Sequence, residues 1–176
     1  MKKNILIFLI FGMILCLGVG YAVVNSVSLN ITGNVGAQAT ELNTFFTGNT
    51  EKSTTGSAAI TPTVAVGSKT ASVNISNMSL NETVTVEYEI ANEEVDIGSW
   101  VTVDSVTNSN PTYFEVNAWI SGMAKLCPSS AEYGVYNRLV LTVKMIKTPI
   151  ESNDGKTEIG VSINATPTYD HKCPDP

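Results

Sequence analysis

Few side chains in this sequence are of the types that do chemistry, and they are easily surveyed. Cys127 and Cys173 are each followed by proline, and His171 stands beside the second. In an oxidising compartment an even pair of cysteines most simply forms one disulfide. The same three residues are also a partial metal set, but three ligands with no groups to orient them make a poor zinc centre, so no metal is expected. Two free thiols are the remaining alternative. Glu87 and Glu89 fall on one face of a strand, the spacing a pair of carboxylates needs for acid–base work, although an exposed sheet face carries the same pattern. His171 is the only histidine, and neither a His-Glu-x-x-His helix nor a Gly-x-Ser-x-Gly elbow occurs. A triad would rest wholly on that one tail residue, so no catalytic residues and no cofactor are expected. Trp100, Trp119, Tyr133 and Tyr136 are the aromatic residues able to line a binding patch. The sequons at Asn30, Asn74, Asn77, Asn81 and Asn164 decide nothing in a chain this rich in Asn, Ser and Thr.

Charge narrows the partners. Lys2 and Lys3 precede an apolar run over residues 5–17, and Gly20 and Ala22 supply small residues at a cleavage point. That is the pattern of a secretory signal peptide over residues 1–22, cut after Ala22 by a signal peptidase. The other reading is an uncleaved anchor, because residues 5–24 approach the length that crosses a bilayer. Loss of Lys2 and Lys3 takes the 10 basic residues to 8, against 16 acidic ones. Such a balance disfavours nucleic acid and anionic membrane surfaces, leaving membrane contact to the N-terminal segment before cleavage. Glu82, Glu87, Glu89, Glu93, Glu94, Asp96 and Asp104 share one stretch without a basic residue, which reads as a solvated face; no calcium-loop pattern accompanies it.

The elements that must position these residues are strands. Val84, Val86, Tyr88 and Ile90 alternate with polar residues, as do Phe114, Val116, Ala118 and Ile120, then Leu139, Leu141, Val143 and Met145, then Ile159, Val161, Ile163 and Ala165. Period-two alternation gives each strand one apolar and one wet face. Weaker strands are expected over 23–32, 43–47, 63–66, 70–76 and 99–106. Residues 48–57 read as a mobile polar loop, and 120–137 as a loop with one helical turn near 131–133. Asn153-Asp154-Gly155 predicts a hairpin between the last two strands. Eight or nine half-buried strands and no convincing helix predict an all-β, two-layer antiparallel sandwich over residues 34–169, followed by a tail over 170–176.

Residues 23–33 carry no charge, and Val23, Val27, Leu29 and Ile31 share one face at strand spacing, interrupted only by Asn25. Such a segment either pairs inside its own domain or adds to the sheet of another chain.

Three stretches resemble the TasA/camelysin-like bacterial surface proteins, whose precursors are processed by a signal peptidase of the SipW type. They are Gly-Tyr-Ala with the following Val-Ser-Leu-Asn-Ile-Thr-Gly (27–33), Glu-Thr-Val-Thr-Val-Glu-Tyr-Glu-Ile-Ala-Asn (82–92), and the pair of strands over 139–149 and 157–167. The resemblance implies a jelly-roll sandwich, a bacterial cell-surface or extracellular location, and self-association into biofilm-matrix fibres. In those fibres each subunit receives its neighbour's N-terminal strand. A monomeric surface binding or adhesion module is the alternative. A peptidase, a label carried by camelysin-type members, is disfavoured by the missing zinc motif. The Cys127/Cys173 pair and the Asp-His-Lys-Cys tail depart from the family pattern.

Overall fold

The alternating segments are strands, and each turns its apolar side chains to one interior. The computed structural model describes residues 26–35 as backbone, and 42–122, 124–131, 134–149 and 155–168 in full. Ten strands run through them: β1 (Ser26–Val35), β2 (Thr44–Thr54), β3 (Ala59–Val64), β4 (Thr70–Ser76), β5 (Thr83–Asn92), β6 (Gly98–Asn108), β7 (Phe114–Ser121), β8 (Lys125–Leu126), β9 (Tyr136–Met145) and β10 (Lys156–Thr168). The described residues are all-β, with no helix among them.

Nine of the strands form antiparallel groups: β2-β5-β9-β7, β3-β4 and β10-β6-β8. The backbone of β1 lies between the last two groups, antiparallel to β4 and parallel to β10, so the order becomes β3-β4-β1-β10-β6-β8. The nine strands are antiparallel as expected, and β1 adds one parallel pair, with β10. Parallel neighbours need a long crossover rather than a tight turn, and here residues 36–155 separate β1 from β10.

Val84, Val86, Tyr88 and Ile90 of β5 and Leu139, Leu141, Val143 and Met145 of β9 share one buried cluster with Val73, Ile75, Val101, Ile159, Val161 and Ile163 from the other sheet. Tyr88 ties the two sheets together. Its hydroxyl donates to the Ser72 carbonyl (3.0 Å), and Phe46 packs edge-on against its ring at 5.9 Å. Burial pushes the phenol's pKa upward, so the group stays neutral and remains a donor.

Four local expectations need correction. Of residues 48–57 only 55–57 are loop, because β2 continues to Thr54 against β5. A register shift between Phe46 and Thr50 breaks the strand, and Gly48 turns there with φ 92° against Val66. The strand placed over 63–66 is β3, earlier in the chain. β9 and β10 form no hairpin: the first pairs with β5 and β7, the second with β1 and β6. A turn motif marks a reversal without fixing which sheet the chain re-enters, and Asn153 and Asp154 lie outside the described residues. Finally, the 120–137 segment holds the end of β7, the short β8 and a turn in which the Ala131 amide bonds the Pro128 carbonyl (2.9 Å). The helical turn expected near 131–133 runs into residues outside the described set.

Candidate functional site

The slot filled by β1 is built from the two strands beside it. Its register places Val27 in a rung with Ile75 and Thr157, Leu29 with Val73 and Ile159, and Ile31 with Ala71 and Val161. All six partners are buried. The intervening rungs are polar: Ser28 with Asn74 and Glu158, Asn30 with Ser72 and Gly160, and Thr32 with Thr70 and Ser162. The apolar set of β1 thus coincides with the core rungs of its neighbours, and a slip by one residue would exchange the two sets. Val23, Gly20 and Ala22 lie outside the described residues. So do Cys173, His171 and Tyr133.

Cys127 is buried and disulfide-bonded, to a partner outside the described residues. Its backbone amide bonds the Gly134 carbonyl (2.8 Å), and its carbonyl accepts from Nδ2 of the buried Asn92 side chain (3.2 Å), which also reaches the Ile97 carbonyl (2.8 Å).

The acidic stretch does not form one solvated face. Glu87 and Glu89 occupy the outer face of β5 but serve different partners. Arg138 holds Glu87 and Glu51 at 2.8 Å each, and these carboxylates, Glu87 first, raise the guanidinium's pKa. Glu89 Oε1 accepts from Thr47 Oγ1 (2.7 Å) and Asn49 Nδ2 (2.8 Å). Each carboxylate is therefore committed to its own neighbours rather than to the other. Glu93 accepts from the Asn43 side chain (2.7 Å) and Glu94 from the Asn43 amide (3.1 Å).

Glu82 is the one member that sequence reasoning misplaced most. It is only 4 % exposed and closes the β4–β5 turn from inside. Its carboxylate accepts from Thr54 Oγ1 (2.7 Å), the Ala58 amide (2.6 Å) and the Ser79 amide (2.7 Å). Burial pushes this carboxyl's pKa up, but the hydrogen bonds from Thr54, Ala58, Ser79 and Ser57 outweigh it and hold the group below its ordinary value. Asn77 and Asn81 in the same turn take left-handed backbone (φ 61° and 64°), a conformation asparagine tolerates better than most residues. Two of the sequons are thus turn residues.

Of the four aromatic residues Tyr133 lies outside the described residues, and the other three do not share one sheet. Trp100 sits on β6 in a rung with Lys125 and Thr166, whereas Trp119 and Tyr136 lie on β7 and β9 of the other sheet. Among the described residues no group of three or more His, Cys, Asp or Glu is placed to hold a metal ion, and no helix is long and apolar enough to cross a membrane. Compared with known protein families, with curated proteins and with solved structures, the chain matches none.

Proposed function

We propose that this chain is an exported structural protein of a bacterial surface, the subunit of an extracellular fibre or matrix assembled by strand donation. In this reading the two sheets are a jelly-roll-like two-layer sandwich. A signal peptidase frees residue 23, and the uncharged N-terminal strand enters the slot of a neighbouring copy. The observation that carries the reading is the position of β1. Among the described residues, β1 is held at the middle of a sheet, parallel to β10, and is the strand that joins the β3-β4 pair to the β10-β6-β8 group. Main-chain pairing on both sides supplies affinity, and the Val27, Leu29 and Ile31 rungs supply register. Full burial of an aliphatic side chain is worth about 1.5–3 kcal/mol in general, so a donated strand with three apolar rungs would add to the ladder in holding two subunits together. Head-to-tail donation does not close on itself, so it yields open filaments.

The test removes residues 23–31 and returns them as a synthetic peptide. The truncated domain should stay monomeric, bind the peptide and be blocked by it from capping wild-type filaments in electron micrographs. Leu29→Asp checks the same slot without changing length: filaments should vanish while the melting temperature of the monomer holds. Collapse of the Leu29→Asp monomer would show that β1 belongs to its own domain. The chain would then be a monomeric surface module.

A further inference from the structure

Among the described residues the two sheets end on four strands, β3 and β8 on one and β2 and β7 on the other. An edge strand offers unpaired amides and carbonyls to any further strand, and proteins blunt such edges with proline, bulges, charge or shortness. Three of these edges are blunted. β3 carries Pro62, β8 has two residues, and β2 is broken by its register shift and carries Glu51 and Lys52. β7 has none of these devices. It keeps unbroken register against β9 from Phe114 to Ser121, with no proline, no lysine and a single charge at Glu115.

The open side of β7 follows from its occupied one. The Ile146 amide bonds the Tyr113 carbonyl (2.9 Å) one rung before Phe114–Met145, so odd-numbered residues of β7 turn their backbone groups to β9. The even-numbered ones turn theirs outward. Phe114 spends its amide on the Asn110 carbonyl (3.2 Å) and its carbonyl on Asn108 Nδ2 (2.7 Å). Val116, Ala118 and Ile120 meet no strand on that side among the described residues. Their side chains pack against the core yet stay only partly buried, so the edge is apolar beneath as well as unpaired.

A second β7 matches this edge by symmetry. A two-fold axis through Ala118, perpendicular to the sheet, sets Ala118 against Ala118 of the second copy and Val116 against its Ile120. Each outward amide then meets an outward carbonyl, because these residues all turn the same way. On the core face the rungs are Val with Ile and Ala with Ala. On the outer face Glu115 meets Ser121, and Asn117 meets the exposed Trp119, so no carboxylate opposes another. Neighbouring registers do worse. An axis at Asn117 would set Ile120 against Phe114, whose backbone is already engaged, and one at Trp119 would set Val116 against Gly122, beyond the strand.

We infer that β7 is a self-pairing edge, through which two copies join as a closed two-fold dimer with their four-stranded sheets running on into each other. β1 has no place in this sheet, so the pairing does not depend on which chain supplies that strand.

The test is sedimentation equilibrium of the purified mature protein over a concentration series. Wild type should pass from monomer to dimer. Ala118→Pro removes an amide that no rung within the chain uses, so it should keep its fold by circular dichroism while associating at least tenfold more weakly. Ser121→Lys, placed opposite Glu115 of the second copy, should tighten the dimer and Ser121→Glu loosen it, with tenfold or more between the two at low salt. If β1 also joins copies into filaments, Ala118→Pro should leave single filaments in micrographs where wild type shows paired ones. Wild type that stays monomeric at millimolar concentration would overturn the inference, even if β7 then accepted a strand of other sequence. So would association unchanged in Ala118→Pro, or equal affinity in Ser121→Lys and Ser121→Glu.

Discussion

At the scale of residues, Glu82 joins three separate pieces of chain: Thr54 at the end of β2, Ala58 before β3 and Ser79 in the turn before β5. Charge-assisted hydrogen bonds to a buried carboxylate are worth about 1.5–3 kcal/mol each, and of the three donors Ala58 is itself buried. Glu82→Gln should therefore lower stability to urea at neutral pH by about 2 kcal/mol, because an amide offers one acceptor oxygen in place of two. The pH dependence has a definite sign. A carboxyl whose folded pKa lies below its ordinary 4.5 adds stability above the unfolded value and loses it as pH falls through the folded one. The gap between wild type and Glu82→Gln should thus close in acid; a gap that stays constant down through the carboxylate range would show that the charge plays no part. Gly56 belongs to the same arrangement, since a Cβ there would fall 2.5 Å from the Glu82 carboxylate. None of this is legible in the sequence, where Glu82 looks like any member of an acidic run. The nearest signal is the pair Asn77 and Asn81, whose tolerance of left-handed backbone is masked by their resemblance to sequons.

At the scale of elements, legibility follows the wetness of the two faces. β5, β7, β9 and β10 alternate cleanly because each buries one face and wets the other. β2 beyond its bulge does not, since Thr50, Glu51, Lys52 and Ser53 are wet or half-wet on both sides and are held by backbone pairing to β5. Periodicity cannot mark a strand that has no buried face. The chain order of β9 and β10 was legible, but their partners were not, because sheet membership is fixed by contacts far along the chain. The aromatic patch failed for the same reason: Trp100 and Trp119 are near in sequence and lie on different sheets. The loop at Cys127 gives a further expectation. It is pinned to the segment after β5 through Asn92 and through Ser129, whose amide bonds the Glu94 carbonyl (2.7 Å). With Cys173 as the partner, the bridge would fasten the tail to that point and stabilise the fold by about 4 kcal/mol. Peptide mapping without reductant should recover a Cys127–Cys173 fragment, and reduction should lower the melting temperature. A fragment joining Cys127 to Cys16, or to a second chain, would sink the pairing.

At the scale of the whole molecule, export and architecture make one testable statement. Intact-mass measurement of the surface form should find a chain beginning at Val23, and Ala22→Asp should leave the precursor membrane-bound. Surface protein that still carries Met1 would replace the cleaved signal with an anchor and keep β1 tethered where it cannot be given away. The placement of β1 beside β10 also governs when the fold can form. Synthesis delivers the N-terminus first, so β1 appears long before β10, its parallel neighbour, exists. The β2-β5-β9-β7 sheet closes before the chain is finished, whereas the other sheet waits for its final residues. Pairings between the two extremes of a chain carry the largest loop-closure cost and form slowly. Each newly made molecule therefore passes through an interval in which its first strand is present and its own last strand is not. On the proposed donation reading, a finished copy with an open slot would compete for a strand whose own β10 partner had not yet docked, so the delay in docking β10 would set how many chains end up joined.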